Sequence, residues 1–279
     1  MRVSVAAARL RPALRGALLG PARLAYALWA LLAFLAVGVS AMVALAVLPG
    51  VARRRAAARA CARAYLFLAA TPLTLKFPER IPAGQCVVVC NHASYLDGVV
   101  LTAALPARFG FVIKREMSAV PLAGAVLRRL GSEFVERFNR NRGAADARRV
   151  LRIASQGHSL VFFPEGTFAR TPGLLKFHVG AFASAARAGC PLVPAVLRGT
   201  RRALPPSGAL PLPGRIELEI LPALSAAVGG HLDEAAAALR DRARAAILGA
   251  LGEPDLTCCA DTARPPGTAP ARSVRASRP

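Results

Sequence analysis

The sequence predicts an α/β domain with a partly parallel sheet, preceded by a pair of membrane-inserted helices. An uncharged apolar segment runs from Leu24 to Leu48, and short β-branched runs alternate with helical stretches further along the chain. Such alternation is typical of layered α/β domains, whose sites lie where strands end and helices begin. We divide the chain into four parts. Residues 1–23 form a basic N-terminal segment, residues 24–75 membrane-associated helices, residues 76–252 the α/β domain, and residues 253–279 a disordered tail rich in Pro, Ala, Arg, Ser and Thr.

The composition favours contact with an anionic membrane. Apolar residues make up 54% of the 279 residues and the mean hydropathy is +0.42, above the values of ordinary soluble domains. The net charge of +22 comes almost wholly from arginine, which favours anionic partners. Because the chain is so apolar, and clusters of basic residues with interleaved aromatics are not evident, we expect membrane lipid as a partner and no nucleic acid.

The N-terminal region predicts one long and one short membrane helix. Residues 1–23 are basic and are expected to be irregular. As a helix, Leu24–Leu48 would be about 37 Å long, enough to cross a hydrocarbon core of about 30 Å. The segment is longer than the apolar part of a cleaved signal peptide. Pro49-Gly50 ends it, and the next apolar stretch, Ala64–Leu75, is too short to span.

Arginine placement favours an insertion that keeps both flanks on one side. Five arginines lie in residues 1–23 and five in residues 53–63, so the positive-inside rule does not orient a single span. A re-entrant or monotopic pair of helices keeps both arginine-rich flanks on one side of the membrane, and a true span is the alternative. We expect the α/β domain on the cytoplasmic face of the inner cell membrane, with reduced cysteines, since no C-x-x-C pair or zinc spacing occurs.

The α/β region contains six predicted strands and five predicted helices. The strands lie near residues 86–90, 109–113, 133–136, 159–163, 192–197 and 215–221. The helices lie near residues 97–104, 121–130, 143–156, 178–188 and 233–250. Pro194 inside a predicted strand suggests a sheet edge or a bulge.

The end of the first predicted strand carries a histidine and an aspartate five residues apart. On one continuous helix such a pair lies about 140° apart, but a turn at the strand end lets Asp97 reach back to His92. A carboxylate on one imidazole nitrogen fixes the tautomer and supports the cation that forms when the other nitrogen takes a proton. The pair therefore predicts a general base acting on a hydroxyl, with a structural histidine as the alternative. Cys90, on the same strand face as His92, leaves a Cys–His nucleophile open.

A second motif follows another apolar strand. The sequence F-P-E-G-T at 163–167 lies about seventy residues beyond N-H-A-S-Y-L-D at 91–97, and together they resemble the lysophospholipid acyltransferases that make phosphatidic acid. Residues 131–137 and 193–200 match two further blocks of that family, and the resemblance covers roughly residues 60–225. It implies a layered acyltransferase domain behind an N-terminal two-helix membrane motif.

The resemblance also implies an activity. An acyl group would move from acyl-CoA or acyl carrier protein to the free hydroxyl of 1-acyl-glycerol 3-phosphate, with no metal or redox cofactor. His92 would act as general base, Asp97 would orient it, and the alkoxide would attack the thioester directly. Other acceptors remain alternatives, namely a lyso-ornithine lipid, another lysophospholipid or glycerol 3-phosphate. A non-catalytic lipid-surface protein is the alternative from another class, and oligomeric state is left open.

The substrate contacts follow from the same resemblance. Arg137 is expected to bind phosphate, because its planar fork donates two parallel hydrogen bonds. The other expected substrate-binding residues are Glu165, Gly166 and Thr167 of the second motif, with Lys114 and Arg170 as further cations. The chain departs from the family where Phe168 and Ala169 follow Thr167, since many members carry Arg or Lys soon after this threonine. His178 is considered as a phosphate contact or a polar helix cap.

Overall fold

The computed structural model describes residues 3–136, 140–207, 210–226 and 231–257. Its helices are α1 Val3–Val47, α2 Val51–Leu68, α3 Asp97–Ala104, α4 Ala123–Arg129, α5 Arg140–Ser155, α6 Gly180–Ala188, α7 Thr200–Ala203 and α8 Leu232–Leu251. Its strands are β1 Leu73–Lys76, β2 Val87–Cys90, β3 Gly110–Lys114, β4 Glu133–Val135, β5 Leu160–Phe162, β6 Leu192–Arg198 and β7 Ile216–Ile220. Two 3₁₀ turns lie at Pro78–Arg80 and Arg115–Ala119.

The described strands form one mixed, mostly parallel sheet in the order β1-β7-β6-β2-β5-β3-β4. Neighbouring strands are parallel except β6 and β7. All four residues of β2 are buried between β5 and β6, which is why this strand is a continuous apolar run and does not alternate with polar residues. The predicted α/β class with a partly parallel sheet is confirmed.

Helices cover both faces of the sheet. Leu66 of α2 and Val100 of α3 pack on one face, against Val88 of β2. Helices α5, α6 and α8 pack on the other face, where Phe182 and Leu239 are fully buried. Because consecutive β2 side chains point to opposite faces, this one strand contributes to both cores.

The predicted N-terminal helical pair is present. Helices α1 and α2 run antiparallel, joined by hydrogen bonds from Tyr26 Oη to the Ala69 carbonyl (2.7 Å) and from Trp29 Nε1 to the Leu68 carbonyl (2.8 Å). In the described residues one helical stretch, Gly20–Val47, is long and apolar enough to cross a membrane, and 17% of its apolar window is buried in the protein.

The second apolar stretch, predicted over 64–75, does not form a single helix. Helix α2 begins at Val51 and ends at Leu68, and its Leu66 packs into the domain core. The following residues form β1, which pairs with β7 in the sheet. Arg55 of α2 donates to the carbonyls of Leu130 and Gly131, so the arginines that separate the apolar stretches attach α2 to the domain.

The structure also differs from the prediction near both ends of the chain. Helix α1 extends back to Val3, because a segment rich in Ala, Leu and Arg favours helix over an irregular conformation. Residues 253–257, predicted to belong to the disordered tail, bind the domain: Leu256 N–H donates to the Leu174 carbonyl, and Arg244 pairs with Asp255. Residues 258–279 lie outside the described part of the chain.

Pro194 does not mark an edge, since β6 lies between β2 and β7. Its carbonyl accepts from Leu221 N–H at 2.9 Å, and the reciprocal bond is lost because proline has no N–H. The antiparallel ladder of β6 with β7 ends next to it, at Ala195 and Ile220. The interior strand β6 therefore tolerates Pro194, because the missing N–H group lies where the pairing of β6 with β7 ends.

Candidate active site

The structure brings His92 and Asp97 together at the carboxyl end of β2. Asp97 is the first residue of α3 and is fully buried. Its Oδ2 lies 2.7 Å from His92 Nδ1 and also accepts the N–H groups of Ala93 (2.6 Å) and Ser94 (2.9 Å). These donors fix the carboxylate, which in turn holds Nδ1 as the protonated nitrogen and leaves Nε2 able to accept a proton.

Two polar residues that the sequence reasoning missed hold the loop between β2 and α3. The Asn91 side chain is hydrogen-bonded twice to Leu197 of β6, from Nδ2 to the carbonyl (2.9 Å) and to Oδ1 from the N–H (2.7 Å). Ser94 Oγ donates to the Leu204 carbonyl at 2.7 Å. Both lie within the motif that carries His92, so position in the motif was the available signal.

Aromatic rings enclose the imidazole. Phe163 stacks on His92 with a centroid distance of 4.2 Å, and Phe168 meets it edge-on at 4.6 Å. Phe168 also contacts Tyr95, which is 71% exposed. Phe168 is the residue at which the sequence departs from the family pattern. At this position an apolar ring therefore lies beside His92.

Glu165, a predicted substrate contact, is hydrogen-bonded to the main chain in the structure, and its contact with substrate stays a prediction. It is 4% exposed, and its Oε1 and Oε2 accept the N–H groups of His92 (2.7 Å) and Leu175 (2.8 Å). Burial raises the pKa of Glu165 to about 7, opposed by those two hydrogen bonds and by the charge of Arg201. With both oxygens bound to the main chain, Glu165 positions the backbone of His92.

The remaining predicted substrate residues lie on accessible segments. Gly166 takes a φ of 76° in the turn closed by its N–H and the Phe163 carbonyl (3.0 Å), a conformation that favours glycine. Thr167 and Arg170 are exposed on the segment that follows, and Lys114 is exposed at the carboxyl end of β3. Their substrate contacts stay predictions.

Arg137 lies outside the described residues, so its predicted phosphate contact also stays a prediction. His178 is exposed in the segment before α6. The alternative nucleophile, Cys90, is fully buried, and burial raises its pKa well above the usual value of a thiol. A thiol held in its protonated form is a poor nucleophile, which favours a histidine base over a Cys–His pair.

The arrangement suits removal of a proton by a fixed, partly enclosed imidazole. A family model described as Acyltransferase matches residues 72–198, which include both motifs and the strands that carry them. Over this region, a little under half of its length, the chain is similar to the acyltransferase family. The matched region runs from the start of β1 to the end of β6.

The protein has curated relatives with two different named acceptors. It is 33% identical over 129 residues to the chloroplastic 1-acyl-sn-glycerol-3-phosphate acyltransferase BAT2 of Brassica napus, covering 46% of this chain and 37% of that protein. It is 32% identical over 132 residues to the 1-acyl-sn-glycerol-3-phosphate acyltransferase of Haemophilus influenzae, covering 45% and 55%. It is 34% identical over 145 residues to the lyso-ornithine lipid O-acyltransferase of Pseudomonas aeruginosa, covering 50% and 54%. The matched segments thus span about half the length of these relatives or less.

A solved structure shares the fold of this chain. The crystal structure of the 1-acyl-sn-glycerophosphate acyltransferase PlsC from Thermotoga maritima superposes with a TM-score of 0.64 at 18% identity, covering 81% of this chain and 96% of that one. At this identity the likeness establishes the fold alone.

Proposed function

We propose that the protein is a 1-acylglycerol-3-phosphate O-acyltransferase of phospholipid biosynthesis. The observation that carries the proposal is the 2.7 Å contact between His92 Nδ1 and the buried Asp97 carboxylate. It supports a general base at the strand end where the family motif lies. The named activities of the relatives support the acceptor, 1-acyl-glycerol 3-phosphate, and an acyl thioester of CoA or of acyl carrier protein is the proposed donor.

The proposed reaction is direct transfer between the two substrates. His92 Nε2 takes the proton of the acceptor hydroxyl as the oxygen forms a bond to the thioester carbonyl carbon. The carbon–sulfur bond then breaks, and the thiolate leaves with the proton that His92 carries. Asp97 stabilises the imidazolium between these steps. No metal or redox step is part of the proposed reaction.

We propose further that the protein sits on one membrane leaflet, on the cytoplasmic face of the inner membrane. The side of α1 facing away from α2 is apolar and exposed, while α2 packs between α1 and the domain. Arg129 of α4 donates to the carbonyls of Leu45 and Ala46 at the end of α1. A perpendicular span would place α2 and its arginines in hydrocarbon, which is energetically unfavourable.

A lyso-ornithine lipid is the second candidate acceptor, since a relative with that named activity is 34% identical. Of the two acceptors, 1-acyl-glycerol 3-phosphate is the one that carries a phosphate monoester. A desolvated bidentate arginine would favour the phosphate by about 1.5–3 kcal/mol, and Arg137 is the proposed residue.

Acyl transfer by the purified protein tests the proposal. We expect His92→Ala to lower kcat by roughly 10²- to 10⁴-fold, as for loss of a positioned base, and Cys90→Ala to retain most activity. Loss of activity in Cys90→Ala together with a trapped thioester-linked acyl-enzyme would overturn direct transfer.

The same assay compares lysophosphatidate, a lyso-ornithine lipid and monoacylglycerol as acceptors, with acyl-CoA and acyl carrier protein as donors. We expect lysophosphatidate to have the highest kcat/KM and Arg137→Ala to lower it selectively. Preference for the lyso-ornithine lipid would support the second candidate, and equal use of monoacylglycerol would contradict phosphate recognition.

A further inference from the structure

An apolar tip projects between the 3₁₀ turn at Arg115–Ala119 and helix α4. The tip consists of Val120, Pro121 and Leu122, and it lies on the chain just beyond the carboxyl end of β3. Val120 is 42% exposed and Leu122 is 65% exposed. Exposed apolar side chains grouped on a turn mark an interaction surface more often than isolated ones.

The backbone holds Leu122 outward at an energetic cost. Leu122 has φ 59° and ψ −56°, and Ala123 N–H donates to the Pro121 carbonyl at 2.6 Å. This is a γ-turn of the positive-φ kind, which is rare and strained for a residue with a side chain. A glycine would adopt it freely, so the leucine side chain is present despite the strain.

The tip is braced by its surroundings. A Cβ at Gly124 would collide with the Ser118 carbonyl, so the absence of a side chain lets the start of α4 pack against the 3₁₀ turn. Arg128 Nη1 donates to the same Ser118 carbonyl at 2.8 Å. The apolar side chains therefore project from a well-defined support.

The tip is connected to the membrane helix through α4. Arg129, at the end of α4, is hydrogen-bonded to the carbonyls of Leu45 (3.0 Å) and Ala46 (3.2 Å) at the end of α1. The charged residues nearest the tip in sequence are Glu116, Arg115, Lys114 and Arg128; Arg115 is half-buried and paired with Asp146, and the other three are exposed. A cationic border around apolar side chains is the pattern that binds an anionic membrane surface.

We propose that the apolar tip is a second membrane contact, in which Val120 and Leu122 insert into an anionic lipid bilayer beside the α1 anchor. This inference rests on the proposed attachment of α1 to one leaflet. Two contacts fix the tilt of a domain where a single helix leaves it free to rotate. Because the tip follows β3 and His92 follows β2, both lie at the carboxyl edge of the parallel strands, and insertion turns that edge towards lipid.

Tryptophan quenching by brominated lipids in anionic vesicles tests the insertion. In the wild type, Trp29 on α1 is the single tryptophan and reports on the anchor. In Trp29→Phe, the added substitution Leu122→Trp reports on the tip, and Gln156→Trp, exposed on the opposite face of the sheet, is the matched control. We expect quenching of Trp29 and of the tip probe, with the control unquenched.

The outcomes separate the two proposals. Quenching of Trp29 without quenching at the tip overturns the second contact and leaves the anchor, and absence of quenching at both overturns the anchor as well. A blue-shifted tip probe that lipid does not quench shows that the tip is covered by another copy of the chain, which also overturns the proposal.

The variant Leu122→Gly separates membrane contact from folding. Glycine adopts the positive φ without strain, so we expect an unchanged or higher Tm. Loss of the leucine side chain should lower kcat/KM for an acceptor presented in anionic vesicles by roughly five- to tenfold. Turnover of a water-soluble short-chain acceptor should not change. An equal loss with both acceptors, or no loss with vesicles, overturns the proposal. If neither substrate is turned over by the wild type, the proposed acyl transfer has failed and the quenching result stands alone.

Discussion

At the scale of single residues, Glu165 connects the two sequence motifs. Its carboxylate accepts one backbone N–H from His92 in the first motif and one from Leu175 beyond the second. The two N–H donors favour the ionised carboxylate, whereas burial favours the protonated form. Burial has the larger effect, and the pKa of Glu165 is therefore raised to about 7. The position of the His92 backbone therefore depends on a carboxyl group whose pKa is near neutral.

We predict that Glu165 makes folding stability fall as pH rises. Its pKa is about 7 in the folded protein, against an ordinary value of 4.5 for glutamate, so the folded state binds more protons between pH 4.5 and pH 7. The contribution is fully present below pH 4.5 and is lost as pH rises through about 7, amounting to about 3 kcal/mol. Thermal unfolding in detergent at pH 5 and pH 7.5 measures it.

Glu165→Gln is the comparison for this prediction, because the amide does not titrate. The decrease in stability between pH 5 and pH 7.5 should be smaller in Glu165→Gln than in the wild type. Equal pH dependence in the two proteins would show that Glu165 does not titrate in this range. We also expect lower kcat in the variant, since the amide nitrogen that replaces one carboxylate oxygen is a donor and cannot accept the N–H group that faces it.

At the scale of elements, the segment after α8 supports the loop that contacts Glu165. Gly173 N–H donates to Glu253 Oε2 at 2.6 Å, and the Leu256 side chain lies against Gly173 where a Cβ would collide. Arg244 binds Asp255 and also the carbonyls of Leu174 and Leu175. Residues 253–257 thus connect α8 to the backbone whose N–H holds Glu165.

We predict that Asp255→Ala loosens this connection. The pKa of Asp255 is lowered by hydrogen bonds from Arg244 and Thr257, so the carboxylate is ionised and its removal leaves Arg244 without its partner. We expect a loss of about 1–2 kcal/mol in the free energy of unfolding, allowing for partial exposure, faster hydrogen exchange in residues 171–178 and a few-fold lower kcat.

Asp241→Ala is the matched control, because Asp241 pairs with Arg240 on the exposed side of the same helix. Its effect on stability should stay within about 0.5 kcal/mol, with hydrogen exchange in residues 171–178 unchanged. Similar effects of the two substitutions would argue against a specific supporting role for residues 253–257.

At the scale of the whole molecule, the α1–α2 pair and the α/β domain are packed as one unit. Contacts to the domain or to α2 occur near both ends of the membrane-length helix, from Tyr26 to Ala46. Arg59 and Arg63 of α2 donate to the carbonyls of Ala104 and Ala103 at the end of α3. A helix held in this way lies along the domain, which suits a membrane attachment parallel to the bilayer plane.

We predict that both flanks of α1 lie on the same side of the membrane. Arg23, near the start of the apolar stretch of α1, and Arg53, at the start of α2, are exposed, so Arg23→Cys and Arg53→Cys should both react with a membrane-impermeant maleimide in sealed inverted vesicles. The parent protein gives the background from its own cysteines, and Arg187→Cys on α6 marks the side of the domain. Labelling of one flank only would establish a span.

The sequence by itself determined the fold class, the strand and helix order and the two motifs of the site. Buried parallel strands need continuous apolar runs, and the turn after β2 needs the polar residues of its motif, so both leave local patterns. All predicted strands and helices of the α/β region are found, with ends shifted by at most three residues.

Only the tertiary structure decided how distant segments use their side chains. The arginines of α2 looked like membrane flanks until their partners were seen to be domain carbonyls, and Leu73–Lys76 became a strand because β7 pairs with it. The motif that contains Glu165 does not reveal that His92 and Leu175 supply two N–H donors to its buried carboxylate. Such partners are separated along the chain, and hydrogen bonding between them depends on packing that no local pattern encodes.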